Sequence, residues 1–135
     1  MAQGANPNVQ GESGSTSLHW AAFGRDLEIV QALLEKGANP NIQNDRKETP
    51  LHRAVRRGDL DIVRALLERR ADPNIQNKDG VTPLHLAAYY GYLDIVKALF
   101  EHDADPDIKK EDGKTARDIA RARGHTNIVD ALTGG

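Results

Sequence analysis

The chain has 135 residues, of which 39% are apolar and 28% charged, with a formal net charge of −2. That balance suits one globular or solenoid unit and argues against a strongly basic nucleic-acid binder. The absence of cysteine excludes thiol catalysis, disulfides and cysteine-based zinc sites, and leans toward a cytosolic setting.

The opening Met1-Ala2-Gln3-Gly4 is too polar for a signal peptide, and no apolar stretch approaches the ~20 residues of a membrane span. Gly4 to Gln10 then reads G-A-N-P-N-V-Q, the tail of a unit whose helices are missing. From Thr16 the chain reads T-S-L-H, and from Thr49 and Thr82 it reads T-P-L-H, a spacing of 33 residues. Each copy continues in the same helical text. A fourth, beginning at Thr115, stops after its second helical run.

Thr16, Thr49, Thr82 and Thr115 stand where an N-cap belongs, since a hydroxyl there accepts from an orphan amide of the first turn. Pro50 and Pro83 follow at the first helical position, which tolerates their fixed φ and missing N–H. The first helix should end near Gly58, Gly91 and Gly124, and a second run begins at Leu27, Leu60 and Leu93. In the middle copy Ile62, Val63, Leu66 and Leu67 cover more than one narrow stripe, so the helix needs both its partner and the next unit to bury them. Stacking completes the core, and roughly three units are needed for stability. Between the pairs, Asp79-Gly80 and Glu111-Asp112-Gly113 carry turn chemistry.

T-P-L-H, L-D-I-V and A-D-P-N recurring in register at this period closely resemble the ankyrin repeat over almost the whole chain. The resemblance implies an all-α solenoid of stacked helix-turn-helix units with projecting β-hairpin loops. Its expected divisions within one domain, 1–135, are a partial unit at 1–10, full repeats at 11–43, 44–76 and 77–109, and a C-terminal capping repeat at 110–135.

It also implies a non-catalytic scaffold, without cofactor or metal, that binds a protein or peptide on a concave face made by hairpin tips and first-helix ends. A targeting or regulatory segment of a longer multidomain protein is the alternative. Binding of an anionic ligand or nucleic acid through the arginines of the second repeat is a weaker third reading, and no nucleic-acid or membrane partner is expected. The expected setting is intracellular and cytoplasmic. A monomer is the expected state, with self-association through an uncapped N-terminal end as the other possibility.

Residues that tempt a catalytic or metal reading mostly dissolve into the period. His19, His52 and His85 recur at one position and would form a ladder, whereas metal ligands must converge on a point. Asp103, Asp105 and Asp107 alternate like the start of a calcium loop, but Ile108 and Lys114 occupy the positions that need Gly and Glu. No phosphate-binding glycine loop is present.

Positions where the copies differ carry the information about a partner. At the helix ends these are Phe23, Arg56 with Arg57, Tyr89 with Tyr90, and Arg123. At the tips they include Asp45, Arg46 and Glu48, then Lys78, Asp79 and Val81. Trp20 and Arg53 share a further variable position, where Arg53 should be only partly buried. The second repeat alone is arginine-dense, with Arg46, Arg53, Arg56, Arg57, Arg64, Arg69 and Arg70. The sharper expectation is that Arg56 and Arg57 form a basic centre flanked by Phe23, Trp20, Tyr89 and Tyr90, matched to an acidic peptide or surface with apolar anchors. The competing expectation is that these arginines pair with Asp59, Asp61 or acids of the loops while the aromatics pack between repeats.

Several departures from the repeat predict local differences. Arg70 and Asp103 stand where Gly37 ends the helix, at a penalty of roughly 1 kcal/mol each if the left-handed geometry is kept. Lys47 replaces the loop glycine seen as Gly14, Gly80 and Gly113, which predicts a differently shaped loop. Gly24-Arg25 reverses the residue-then-glycine order of Arg57-Gly58. The last copy gains Arg117, Asp118, Arg121 and Arg123, as suits a polar cap.

Overall fold

The computed structural model describes residues 6–133. Met1 to Gly4, with Gly4 and Ala5 of the partial unit, and the closing Gly134 and Gly135 lie outside the described residues. Among the described residues, eight α-helices form four pairs: α1 (Ser17–Phe23) with α2 (Leu27–Glu35), α3 (Pro50–Arg56) with α4 (Leu60–Glu68), α5 (Pro83–Tyr90) with α6 (Leu93–Glu101), and α7 (Ala116–Ala122) with α8 (Thr126–Thr133). The first helices pack in one row, α1 on α3 on α5 on α7, and the second helices in a parallel row, α2 on α4 on α6 on α8.

Each first helix starts on its threonine. The Thr16, Thr49, Thr82 and Thr115 hydroxyls accept from the N–H groups of His19, His52, His85 and Asp118, and the proline of α3 and of α5 sits at the start of its helix. Asp26 and Asp59 cap α2 and α4 in the same way, while Tyr92, at the equivalent position before α6, gives no side-chain cap. Leu18, Leu51, Ile62, Leu66, Leu84, Ile95, Leu99 and Ile128 are fully buried between the rows. Each such aliphatic contributes about 1.5–3 kcal/mol on leaving water, which is what makes helices of two turns hold.

The histidine ladder has a plain structural purpose. The backbone N–H groups of Thr16, Thr49 and Thr82 donate to Nδ1 of His19, His52 and His85 at 3.0, 3.1 and 2.9 Å. With Nδ1 accepting, Nε2 carries the proton and donates across the stack to the carbonyls of Glu48, Val81 and Lys114 at 2.8, 2.8 and 3.1 Å. Each ring thus ties its own helix start to the next loop. Asp118 replaces histidine in the last pair, where no further loop follows among the described residues; its carboxylate completes the cap by accepting from the Thr115 N–H at 3.0 Å.

The projecting loops are turns without paired strands among the described residues. Each is closed by a backbone bond from Asn44 N–H to the Glu48 carbonyl, Asn77 to Val81 and Lys110 to Lys114, with a tighter turn bond inside it from Lys47 N–H to the Asn44 carbonyl, Gly80 to Asn77 and Gly113 to Lys110. Neighbouring loops are joined by one more, from Asp45 N–H to Ser13, Lys78 to Arg46 and Glu111 to Asp79. A single bond per step is too few for a strand ladder. Side-chain amides supply the rest: Gln10, Gln43 and Gln76 each donate to a carbonyl of their own loop and to one a repeat further on. Asn8, Asn41 and Asn74 accept from the backbone of Asn39, Asp72 and Asp105 at 2.7 Å each. Asn8, ahead of the first helix pair, therefore makes the same bond that Asn41 and Asn74 make after the first and second pairs.

The departures from the repeat are absorbed without a change of shape. Arg70 and Asp103 take φ of +71° and +69°. Lys47 takes +60° and donates to the Asn44 carbonyl at 2.8 Å, as Gly80 does to Asn77 at 2.9 Å, so the different loop shape expected there is not found. In the first pair Arg25, not Gly24, holds the left-handed position, with φ +59°. A Cβ on Gly58 would lie 2.9 Å from the Tyr92 ring, and one on Gly91 would lie 2.8 Å from the His125 ring. Arg25 faces the small Asp59 at that place instead, and its Nε lies 3.5 Å from the Asp59 carboxylate. The reversed order thus replaces a glycine under a ring by an ion pair.

Candidate interaction surface

The end of α1 and the start of the second repeat build one cluster. Trp20 and Phe23 meet edge to face with ring centroids 6.3 Å apart, and the Arg53 guanidinium lies 5.6 Å from the first ring and 5.4 Å from the second. Arg57 covers Phe23 at 5.2 Å. Both rings stay about half exposed, Trp20 at 53% and Phe23 at 45%. Arg53 is half-buried, as its place in the repeat suggested.

Glu48 differs from the other tip residues because its side chain turns inward and is buried. Its carboxylate accepts from Asn77 Nδ2 at 3.0 Å and from the Arg56 guanidinium, and Arg53 Nε lies 3.8 Å away. Burial alone would raise the Glu48 carboxyl. The hydrogen bonds from Asn77 and Arg56, together with the Arg56 charge, outweigh burial and hold it below the ordinary carboxylate range. Asn77, which completes this arrangement, carried no partner signal in the sequence beyond recurring at the position of Asn44.

Two grooves meet at Arg46 and Arg56. The first, of about 310 Å³, is walled by Phe23, Arg53 and Arg57 as well; the second, of about 250 Å³, continues to Asn77, Lys78 and Asp79. Loop tips and first-helix ends therefore form one continuous surface from the end of α1 to the loop that precedes α5. Asp45, Arg46, Lys78 and Asp79 are exposed on it, and Val81 is half-buried.

A second cluster lies at the end of α5. Tyr89 and Tyr90 meet edge to face at 5.1 Å, Tyr90 stacks on Tyr92 at 5.6 Å, and Arg123 covers Tyr89 at 4.1 Å. His125 Nε2–H donates to the Tyr89 carbonyl at 3.2 Å. Tyr92 and His125 escaped the sequence reading. The available signal was that both replace the capping aspartate of Asp26 and Asp59. No ring contact or ion pair of the described residues joins this cluster to the first.

Arg56 pairs with a loop acid, Glu48, while Arg57 rests on Phe23 and makes no ion pair among the described residues. Arg64 is exposed on α4, and Arg69 donates to the Leu34 carbonyl at 3.2 Å, so the arginines of the second repeat divide between two sides. No cluster of three or more metal-binding side chains occurs among the described residues, nor does any helix there have the length and apolarity to cross a membrane.

Capped helix pairs in two rows, tied by repeating turns and side-chain bridges, define a helical-repeat solenoid. Family models described as ankyrin repeats (3 copies) and ankyrin repeats (many copies) match residues 1–77 and 66–120. The chain belongs to the ankyrin repeat family, whose members are generally protein–protein interaction modules and typically non-catalytic. No curated protein matches the sequence significantly.

Proposed function

We propose that the chain is a non-catalytic protein-binding scaffold whose partner lies across the loop tips and first-helix ends. The observation that carries this reading is the pair of aromatic and arginine clusters, Trp20-Phe23-Arg53-Arg57 and Tyr89-Tyr90-Arg123, whose four rings are all exposed on a tightly stacked frame. Large rings with forked cations are the side chains that dominate interface energetics, and a rigid frame lowers the ordering cost of using them. Affinity capture with the intact chain beside an Arg57→Ala, Tyr89→Ala, Tyr90→Ala variant tests it. The expected result is a partner lost from the variant, followed by a weaker affinity in titration of the purified pair. Equal capture and equal affinity would refute the proposed face.

A second reading, self-association through the α1–α2 end of the stack, is favoured by one comparison within the chain. Ile29 is 50% exposed, whereas its equivalents Ile62, Ile95 and Ile128 are 0, 2 and 0% exposed under a preceding pair. Trp20 and Ile29 border a shallow pocket of about 370 Å³ at this end. Sedimentation velocity across concentration distinguishes the cases: a concentration-dependent dimer lost in Ile29→Lys supports association, and a monomer throughout removes it.

A further inference from the structure

The first groove holds more positive charge than its own acid balances. Arg46, Arg53, Arg56 and Arg57 line it, and Glu48 is the single carboxylate among its lining residues. That carboxylate is buried and already taken by Asn77, Arg56 and Arg53. Arg46 and Arg57 make no ion pair with any described residue. Arg57 lies over the Phe23 ring with its Cζ 5.2 Å from the centroid, and a contact with a hydrocarbon ring occupies none of the guanidinium's N–H donors as an ion pair would. A carboxylate matches that fork with two parallel hydrogen bonds.

We propose that this groove seats an aspartate or glutamate side chain of a partner's acidic peptide segment, between Arg46, Arg56 and Arg57, with the neighbouring apolar residue against Phe23. The proposal rests on the protein-binding reading above and adds the chemistry of the partner. Glu48 acts as the resident counter-ion. It fixes one edge of Arg56 and neutralises one of the four arginines, so the groove stays folded when empty and retains a net positive charge for the incoming acid. Phe23 sets the second requirement, an apolar residue beside the acid, which separates this site from a surface that attracts any polyanion.

The test is a random twelve-residue peptide library displayed on phage and selected on the intact chain. Fluorescence anisotropy of the winning peptide and its neutral Glu→Gln or Asp→Asn form follows, at low and high salt. The expected winners carry a carboxylate next to an apolar residue. Neutralising that carboxylate, or Arg57→Gln in the protein, should weaken binding tenfold or more, and making both changes should cost little beyond either alone because they remove the same contact. Arg46→Gln should weaken it to a smaller degree. Arg46 and Arg57 are exposed, so both variants should give the circular dichroism of the parent.

Neutral winners, or acidic winners whose affinity Arg46→Gln and Arg57→Gln leave unchanged, would overturn the proposal. If such winners lose affinity in Tyr89→Ala instead, the protein-binding face stands and only the acid-seating groove falls. An RNA or DNA oligonucleotide of matched charge that outcompetes the peptide also overturns it. A library that yields no binder removes both readings.

Discussion

Arg123 lies over Tyr89 with its guanidinium 4.1 Å from the ring centroid, and Arg57 stands to Phe23 in the same relation at 5.2 Å. In both, the second residue of one helix-end pair covers the first residue of the pair before it. Arg56 and Tyr90 occupy the intervening step with aromatic and arginine exchanged, but there Arg56 turns to Glu48 and Tyr90 stacks on Tyr92. A buried carboxylate beats a half-exposed ring for the cation because ion pairing is stronger where water is excluded. Exposed cation–π pairs are worth about 0.5–1 kcal/mol. A double-mutant cycle on Phe23→Ala and Arg57→Ala, read by urea denaturation, should therefore give a coupling of that size. A coupling of zero would mean that the ring and the cation do not recognise each other in solution.

The end of the stack supplies its own control. Ile62→Ala and Leu66→Ala remove fully buried side chains and should each cost about 2–5 kcal/mol, much of the stability of a short array. Ile29→Ala, at the same place in the first pair but half exposed, should cost no more than about 1 kcal/mol. The comparison is made by chemical denaturation of the three variants side by side. Equal losses at Ile29 and Ile62 would show that the first pair is covered in solution.

Non-glycine residues at positive φ make a third expectation. Arg70, Asp103 and Lys47 sit at +71°, +69° and +60°, and their backbone bonds survive truncation of the side chain. Relief of about 1 kcal/mol of strain at each is partly offset by the greater freedom glycine gains in the unfolded chain. Arg70→Gly and Asp103→Gly should thus raise the denaturation midpoint slightly, by the equivalent of a few tenths to about 1 kcal/mol each. Gly80→Ala should do the reverse, since its Cβ would come within 2.8 Å of the Glu111 amide that joins adjacent loops.

The repeating part of the fold was readable because each threonine, proline and leucine acts on its own helix or on the same position one period away. Thr49, Pro50 and Leu66 do what their spacing implies. The bridges by Gln43 and Asn41 were visible as recurrences, yet their purpose was not, since their partners are backbone groups that differ in sequence from copy to copy. Exposure of Phe23, Tyr89 and Tyr90 followed from their failure to repeat. The inward turn of Glu48 did not, because a tip position is exposed by default and only the arrival of Arg56 and Asn77 from two other elements makes burial of the carboxylate tolerable. Tyr92 was overlooked because a ring at a cap position reads as a lost cap, and only the stack shows it lying over Gly58 and against Tyr90.

Acid should weaken this fold in two stages. Burial pushes the His52 imidazole from its ordinary 6.5 down to about 4, against the opposing pull of the Val81 carbonyl and the Glu48 carboxylate. Burial likewise lowers His19 and His85. Below pH about 6.5 the unfolded chain takes up protons at these rings while the native chain does not, so stability falls as pH drops from about 6.5 toward 4. A displacement of the His52 size corresponds to a loss on the order of 3 kcal/mol when complete. Glu48 acts in the same direction at lower pH. Its carboxyl lies below its ordinary 4.5, so its contribution is intact above that value and is lost as pH falls through its folded value. Urea denaturation at pH 7.5, 6.5, 5.5 and 4.5 should show a flat limb near neutrality and a steep decline beneath it. His52→Gln should be less stable at pH 7.5 because the tie to Val81 is altered, yet show a shallower decline between pH 6.5 and 4.5. A wild-type midpoint unchanged down to pH 4.5 would mean that the rings accept protons in the folded stack, contrary to the buried Nδ1 and Nε2 bonds that hold them.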